Sequence, residues 1–254
     1  ILFRLQEWIF AWGKSPVSDL FKVDILNAMA ATAGLIAILA YWSGMNRVRA
    51  GVVAGTLIAI ASPIVSAVNL NALPAPVRAY LVPSGDGFPI FPWGAYLAFG
   101  VALGSMIPLV ERGAWNRIMQ WSALIGISLI MGGRYFADLP YSLYEKTDFW
   151  LNSPALVACK MGVAFLLGSF AYIWMEYLNT GWSFVRQLGT TSLVVYWVHV
   201  DLEYGPWFAA YRQKLGVAGC IAVSLLLIPV MVGVSVAFTK LRGRYKKERA
   251  PVVT

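Results

Sequence analysis

Apolar residues in this chain come in runs of about twenty, separated by short clusters of charged and turn-forming residues. A run of roughly 18 or more apolar residues is long enough to cross a bilayer as an α-helix. Such runs lie at about Val23–Trp42, Gly51–Val68, Trp93–Val110, Trp115–Gly133, Ala155–Tyr177, Leu188–Phe208 and Val217–Thr239. The pattern predicts an all-α fold: a polytopic membrane helix bundle of about seven transmembrane helices, forming a single domain over residues 1–254. Alternation with period two is missing from segments of about ten residues, which argues against an outer-membrane barrel.

Punctuation between the runs refines this picture. Asn46, Arg47, Val48 and Arg49 read as a short basic turn, and Pro63 as a kink in the second run. The stretch from Asn69 to Pro92 is rich in Pro, Gly and Asn, and predicts a long irregular loop. Pro92 and Trp93 suit the first turn of a helix at a membrane interface. Gly100 and Gly104 form a GxxxG pair, read as a close helix contact. Two further faces carry small residues: Ala31 and Gly34 after Asp24 and Asn27, and Ala164, Gly168 and Ala171 after Lys160.

One run stands apart. From Leu188 to Tyr204 it reads LGTTSLVVYWVHVDLEY and holds the only histidine of the chain. Residues spaced three and four apart share a helical face, and here that face holds Ser192, Tyr196, His199 and Glu203. Charge in hydrocarbon costs roughly 2.5–3.5 kcal/mol or more per residue, so such a stripe faces protein or water. An imidazole supplies proton exchange near neutral pH. His199, Glu203 and Tyr196 are therefore the candidate catalytic residues, against the plainer reading of a satisfied structural histidine. Ser192 lies about two turns away, too far to be a nucleophile paired with that base.

Charge sets an orientation. The net charge is +8, and six of the twenty basic residues fall in the last fifteen positions, from Lys240 to Arg249. After a membrane helix such a cluster reads as a cytoplasmic tail over 241–254, held near anionic lipid rather than nucleic acid. Alternation then puts Arg47, Arg49, Arg112, Arg117, Arg186 and the six tail residues inside, 11 in all. Outside are Arg4, Lys14, Lys22, Arg78, Arg134, Lys146, Arg212 and Lys214, 8 in all. Asp24, Asn27, Arg134, Lys160 and Glu203 fall in the outer half, with His199 near mid-membrane. They form a candidate substrate-binding group with Trp93. The alternative readings are helix capping for Asp24 and snorkelling to the interface for Arg134 and Lys160.

Cys159 and Cys220 have no metal-type spacing and read as packing residues, and no metal site is expected. The chain opens with Ile1 and a stretch like the end of an earlier helix, so an N-terminal portion is expected to be missing.

Three ordered stretches carry a resemblance. GTTSLVVYWVHVDLEYG (189–205), LFKVDILNAMA (20–30) and FPIFPWGAYLAFGVALG (88–104) resemble the bacterial branch of the transmembrane acyltransferases related to heparan-α-glucosaminide N-acetyltransferase. The resemblance implies a multi-pass enzyme of the bacterial inner membrane. It implies acetyl-CoA as acyl donor and a glycan acceptor, a sugar hydroxyl or amine. It also implies a general base on an N-terminal histidine that this chain does not contain. His199, Asp24, Asn27 and the Trp93 region carry over. His199 would move a proton or position substrate, with Glu203 and Tyr196 orienting it and Asn27 donating to the acceptor. Direct transfer and an acyl-enzyme both stay open, as does a homo-oligomer. The rival readings are a secondary transporter and a non-enzymatic membrane scaffold. Transporters often show repeated halves with broken helices at mid-membrane, and no internal repeat is visible here.

Overall fold

Helices of this chain form where hydropathy predicts them, but their ends are set by turn chemistry. The computed structural model describes residues 5, 8, 9, 23, 25–82, 88–141, 143, 144, 147–178, 181–204 and 214–248. Among these lie nine α-helices. They are α1 (Ile25–Ile36), α2 (Gly44–Ala67), α3 (Ala75–Leu81), α4 (Ile90–Met106), α5 (Trp115–Ala137), α6 (Pro154–Ile173), α7 (Phe184–Thr190), α8 (Ser192–Tyr204) and α9 (Val217–Glu248). The described secondary structure is all-helical. Two compact units result, one comprising Ile1 and Val17–Tyr177, the other Leu2–Pro16 and Leu178–Thr254.

Four helices are long and apolar enough to cross a membrane: Gly44–Ala67, Ile90–Leu109, Pro154–Tyr177 and Val217–Gly243. They account for four of the seven expected spans. Of the other three, Ile25–Tyr41 is a shorter apolar helix, tightening to a 3-10 helix at Ala37–Tyr41. Helix α5 has 23 residues but carries Asn116, Arg117, Gln120 and Arg134. Helix α8 is described over 13 residues.

In the first unit, α2 packs antiparallel on α4, and α5 antiparallel on α6. Buried Ala59, Ala95, Val157 and Met161 join α2, α4 and α6 in one core. A Cβ added to Gly51 would stand 3.0 Å from Ala102 Cβ, and one on Gly55 2.8 Å from the Phe99 ring. On the other pair, a Cβ on Gly126 would stand 2.8 Å from the Gly162 carbonyl oxygen. These glycines let the backbones touch, as small residues do in membranes. Hydroxyls add cross-links: Ser169 donates to the Met119 carbonyl at 3.1 Å, and Tyr172 to Asn116 Oδ1 at 2.9 Å.

Several expectations are corrected. The GxxxG pair is not a helix contact, because no described atom lies within 4 Å of a Cβ built on Gly100 or Gly104. Helix α4 meets α2 through Ala98, Phe99 and Ala102 instead. The stripe of Ala164, Gly168 and Ala171 is likewise turned away, and α6 packs through Ala155, Val157, Met161, Gly162 and Ser169. The basic turn at Asn46–Arg49 is the first turn of α2, entered through Gly44 at φ +53°. The long loop contains α3.

The second unit changes the reading of the histidine run most. A continuous helix from Leu188 is broken at Thr191, whose φ of −120° and ψ of 21° leave the helical region. The hydroxyls of Thr190 and Thr191 donate back to the Gln187 carbonyl at 2.9 and 3.2 Å. Such local bonds offer the backbone an alternative to helix. Helix α9 runs past the expected end at Thr239 through Lys240 and Arg242 to Glu248. Its apolar flanks are bare: Leu225 and Leu226 are 65% and 69% exposed.

Candidate functional site

In the first unit, helix directions collect four of the proposed substrate-binding residues at one end. Trp93 sits at the start of α4 and Lys160 in the second turn of α6, while Arg134 lies in the last turn of α5. Asn27 lies in the first turn of α1, which runs alongside α4 in the same direction: Thr32 faces Gly94, and Leu39 and Ala40 face Val101 and Gly104. Asn27 is buried, at 9% exposure.

Aromatic rings organise this end. The Lys160 ammonium lies 4.3 Å from the centroid of the Trp93 ring. Trp93 meets Phe88 edge-on at 5.0 Å and Tyr96 at 5.7 Å. The Arg134 guanidinium lies 5.3 Å from the Phe149 ring. A tight turn presents that ring. Asn152 Oδ1 accepts from the Asp148 N–H at 2.8 Å, Asp148 Oδ1 accepts from the Trp150 N–H at 2.8 Å, and Ser153 caps α6. A cation over an aromatic face is held by the ring quadrupole, worth about 0.5–2 kcal/mol depending on desolvation. Both cations are thus seated on rings rather than free to sweep. Asp24 lies outside the described residues.

The proposed catalytic residues belong to the second unit. His199 Nε2 lies 3.3 Å from Glu203 Oε2, one helical turn on. The two side chains are 39% and 50% exposed. Tyr196 is half-buried on the preceding turn, and Ser192 is exposed at the start of α8. An imidazole held by a carboxylate at one nitrogen keeps the other for an acceptor proton.

A second polar group in this unit was not singled out from the sequence. Gln187 Nε2 donates to Ser235 Oγ at 3.1 Å, to the Ser235 carbonyl at 3.2 Å and to Thr239 Oγ1 at 2.8 Å. Ser235 Oγ has one proton, which it donates either to the Gln187 carbonyl at 3.0 Å or to Thr191 Oγ1 beside it. Ser235 is fully buried and Thr191 nearly so. This network ties the break before α8 to α9. Its sequence signal was Ser235 and Thr239, a four-residue spacing in an otherwise apolar helix. A cleft of about 210 Å³ opens beside it, lined by Trp182, Arg186, Gln187 and Thr190 among others.

No protein family, no curated protein and no solved structure matches the chain.

Proposed function

We propose that the chain is an integral membrane acyltransferase that moves an acetyl group from acetyl-CoA to a sugar hydroxyl or amine of a glycan acceptor. The observation that carries this reading is the His199–Glu203 pair, with Nε2 and Oε2 3.3 Å apart. The acyl donor and the acceptor class come from the resemblance of the three ordered stretches.

In this reading the Glu203 carboxylate accepts from His199 Nε2–H, which leaves the Nδ1 lone pair for the acceptor proton. The acceptor oxygen or nitrogen bonds to the thioester carbonyl carbon, the carbon–sulfur bond breaks, and the proton passes to the departing thiolate. Tyr196 supports the ring; Asn27, Trp93, Arg134 and Lys160 of the first unit are proposed by themselves as substrate contacts.

Orientation belongs to the same proposal. Arg47, Arg49, Arg112 and Arg117 gather at the end of the first unit opposite Trp93 and Lys160. The positive-inside rule favours that end and the C-terminus in the cytoplasm, in a bacterial inner membrane.

The test is acetyl transfer from radiolabelled acetyl-CoA to sugar acceptors. It uses membranes expressing the chain with whatever its gene encodes ahead of Ile1. Replacement His199→Ala should lower turnover by about 10²-fold, as expected for losing a proton-transfer group. Leu193→Ala, on the exposed side of α8, should leave it near normal. Near-normal turnover in the histidine variant would return His199 to a structural role. Accumulation of unmodified sugar in vesicles would favour a transporter.

A further inference from the structure

A groove of about 400 Å³ runs along the first unit between α1, its 3-10 extension and the outer face of α4. Ile36, Leu97, Val101 and Gly104 make it apolar, with Ser105 and Arg47 at one end. Gly104 of the GxxxG pair lines it. No described atom comes within 4 Å of a Cβ on Gly104, so the side chain that glycine lacks is part of the groove's depth.

Arg47 is fixed at the mouth. Its Nε donates to the Trp42 carbonyl at 2.6 Å and its Nη2 to the Ala40 carbonyl at 3.2 Å, closing the end of the 3-10 helix. A guanidinium has five N–H donors, so three remain after these two bonds. Arg49 follows two residues on, and Arg112 and Arg117 stand at the same end of the unit.

We propose that this groove is a binding site for an anionic phospholipid, with one acyl chain along Val101 and Gly104 and the phosphate on Arg47. Water in such a trough has too few polar partners to stay. One wall belongs to α4, which is long and apolar enough to cross a membrane, and the other to the shorter apolar helix Ile25–Tyr41, so acyl chains are the solvent at hand. An apolar trough ending in a fixed cation complements a chain ending in an anion. The site rests on the membrane placement of α4 and the helix beside it and is independent of acyl transfer.

The test is native mass spectrometry of the detergent-solubilised protein with added dioleoyl phosphatidylglycerol or dioleoyl phosphatidylcholine. The wild type should hold phosphatidylglycerol about five-fold more tightly, as expected for one basic residue at an anionic headgroup. Arg47→Gln should erase the preference, and Arg47→Lys should keep it. Gly104→Leu, which fills the trough with Arg47 untouched, should weaken both lipids without lowering the melting temperature. Equal affinity for the two lipids in the wild type, or unchanged binding in Gly104→Leu, would overturn the site. So would displacement of the lipid by millimolar glycerol phosphate, which would mark a headgroup-only contact. A photo-crosslinker at Val101 should capture lipid; capture of protein instead would also overturn it.

Discussion

Lys160 sits over Trp93, its ammonium 4.3 Å from the ring centroid, and so links the start of α6 to the start of α4. The pair is expected to be coupled in stability. In a double-mutant cycle, Trp93→Leu with Lys160→Met should show an interaction of about 0.5–1 kcal/mol, the range of a cation–π contact at a partly exposed site. The readout is thermal unfolding in detergent. Additive losses would mean that the two side chains are neighbours without a bond.

The glycines divide into those that bear contacts and those that do not. A Cβ on Gly162 would stand 2.5 Å from the Gly126 carbonyl oxygen, whereas Gly104 faces open space. Gly162→Ala should push α5 and α6 apart and cost about 1–3 kcal/mol, as over-packing does. Gly104→Ala should be neutral or stabilise by up to ~1 kcal/mol, the helix-propensity gain. Similar melting temperatures for both variants would contradict the packing described.

Ser62 is fully buried in α2, and its Oγ finds no hydrogen-bond partner among the described residues. A stranded hydroxyl of this kind costs roughly 1–3 kcal/mol. Ser62→Ala keeps the space nearly filled and should therefore stabilise the protein by about 1 kcal/mol. A lower melting temperature would show that the hydroxyl has a partner after all.

Helix directions in the first unit fix which loops share a side. Ala72 and Thr147 lie at the Trp93 end, and Gly113 at the arginine end. With Cys159 and Cys220 replaced, Ala72→Cys and Thr147→Cys should react with an impermeant thiol reagent from the same side of intact cells. Gly113→Cys should react only after permeabilisation. Labelling of Gly113→Cys alone on intact cells would invert the orientation, and opposite behaviour of Ala72→Cys and Thr147→Cys would break the topology.

Existence of helices was legible in the sequence because hydropathy over twenty residues is a local property. Their ends and contacts were not. The break at Thr191 depends on hydroxyls that bond Gln187 and on Ser235, 44 residues away. Gly51 and Gly55 carry the GxxxG spacing and do meet α4, Gly100 and Gly104 carry it and meet no described atom, and Gly126 and Gly162 touch without belonging to such a pair. Spacing says that an approach is allowed; only the neighbouring helix decides where it occurs. Trp93, Lys160 and Arg134 could each be singled out as polar or aromatic residues at a helix end. That Lys160 rests on Trp93 follows from packing of helices far apart in the chain, and that Arg134 rests on Phe149 follows from the turn held by Asp148 and Asn152. The spacing of His199 and Glu203 is local, and their contact at 3.3 Å is the one feature of the site that the sequence could place directly.

Helix α9 holds 32 residues, so it is roughly 48 Å long at 1.5 Å per residue, against a hydrocarbon layer of roughly 30 Å. A tilt of about 20° shortens its reach by only a few ångströms. The basic end is therefore a stiff post rather than a loose string. Steps of about 100° per residue put Lys240 and Arg242 on opposite sides of it. Where its apolar part spans a bilayer, a rigid helix of this length carries its basic end clear of the hydrocarbon layer.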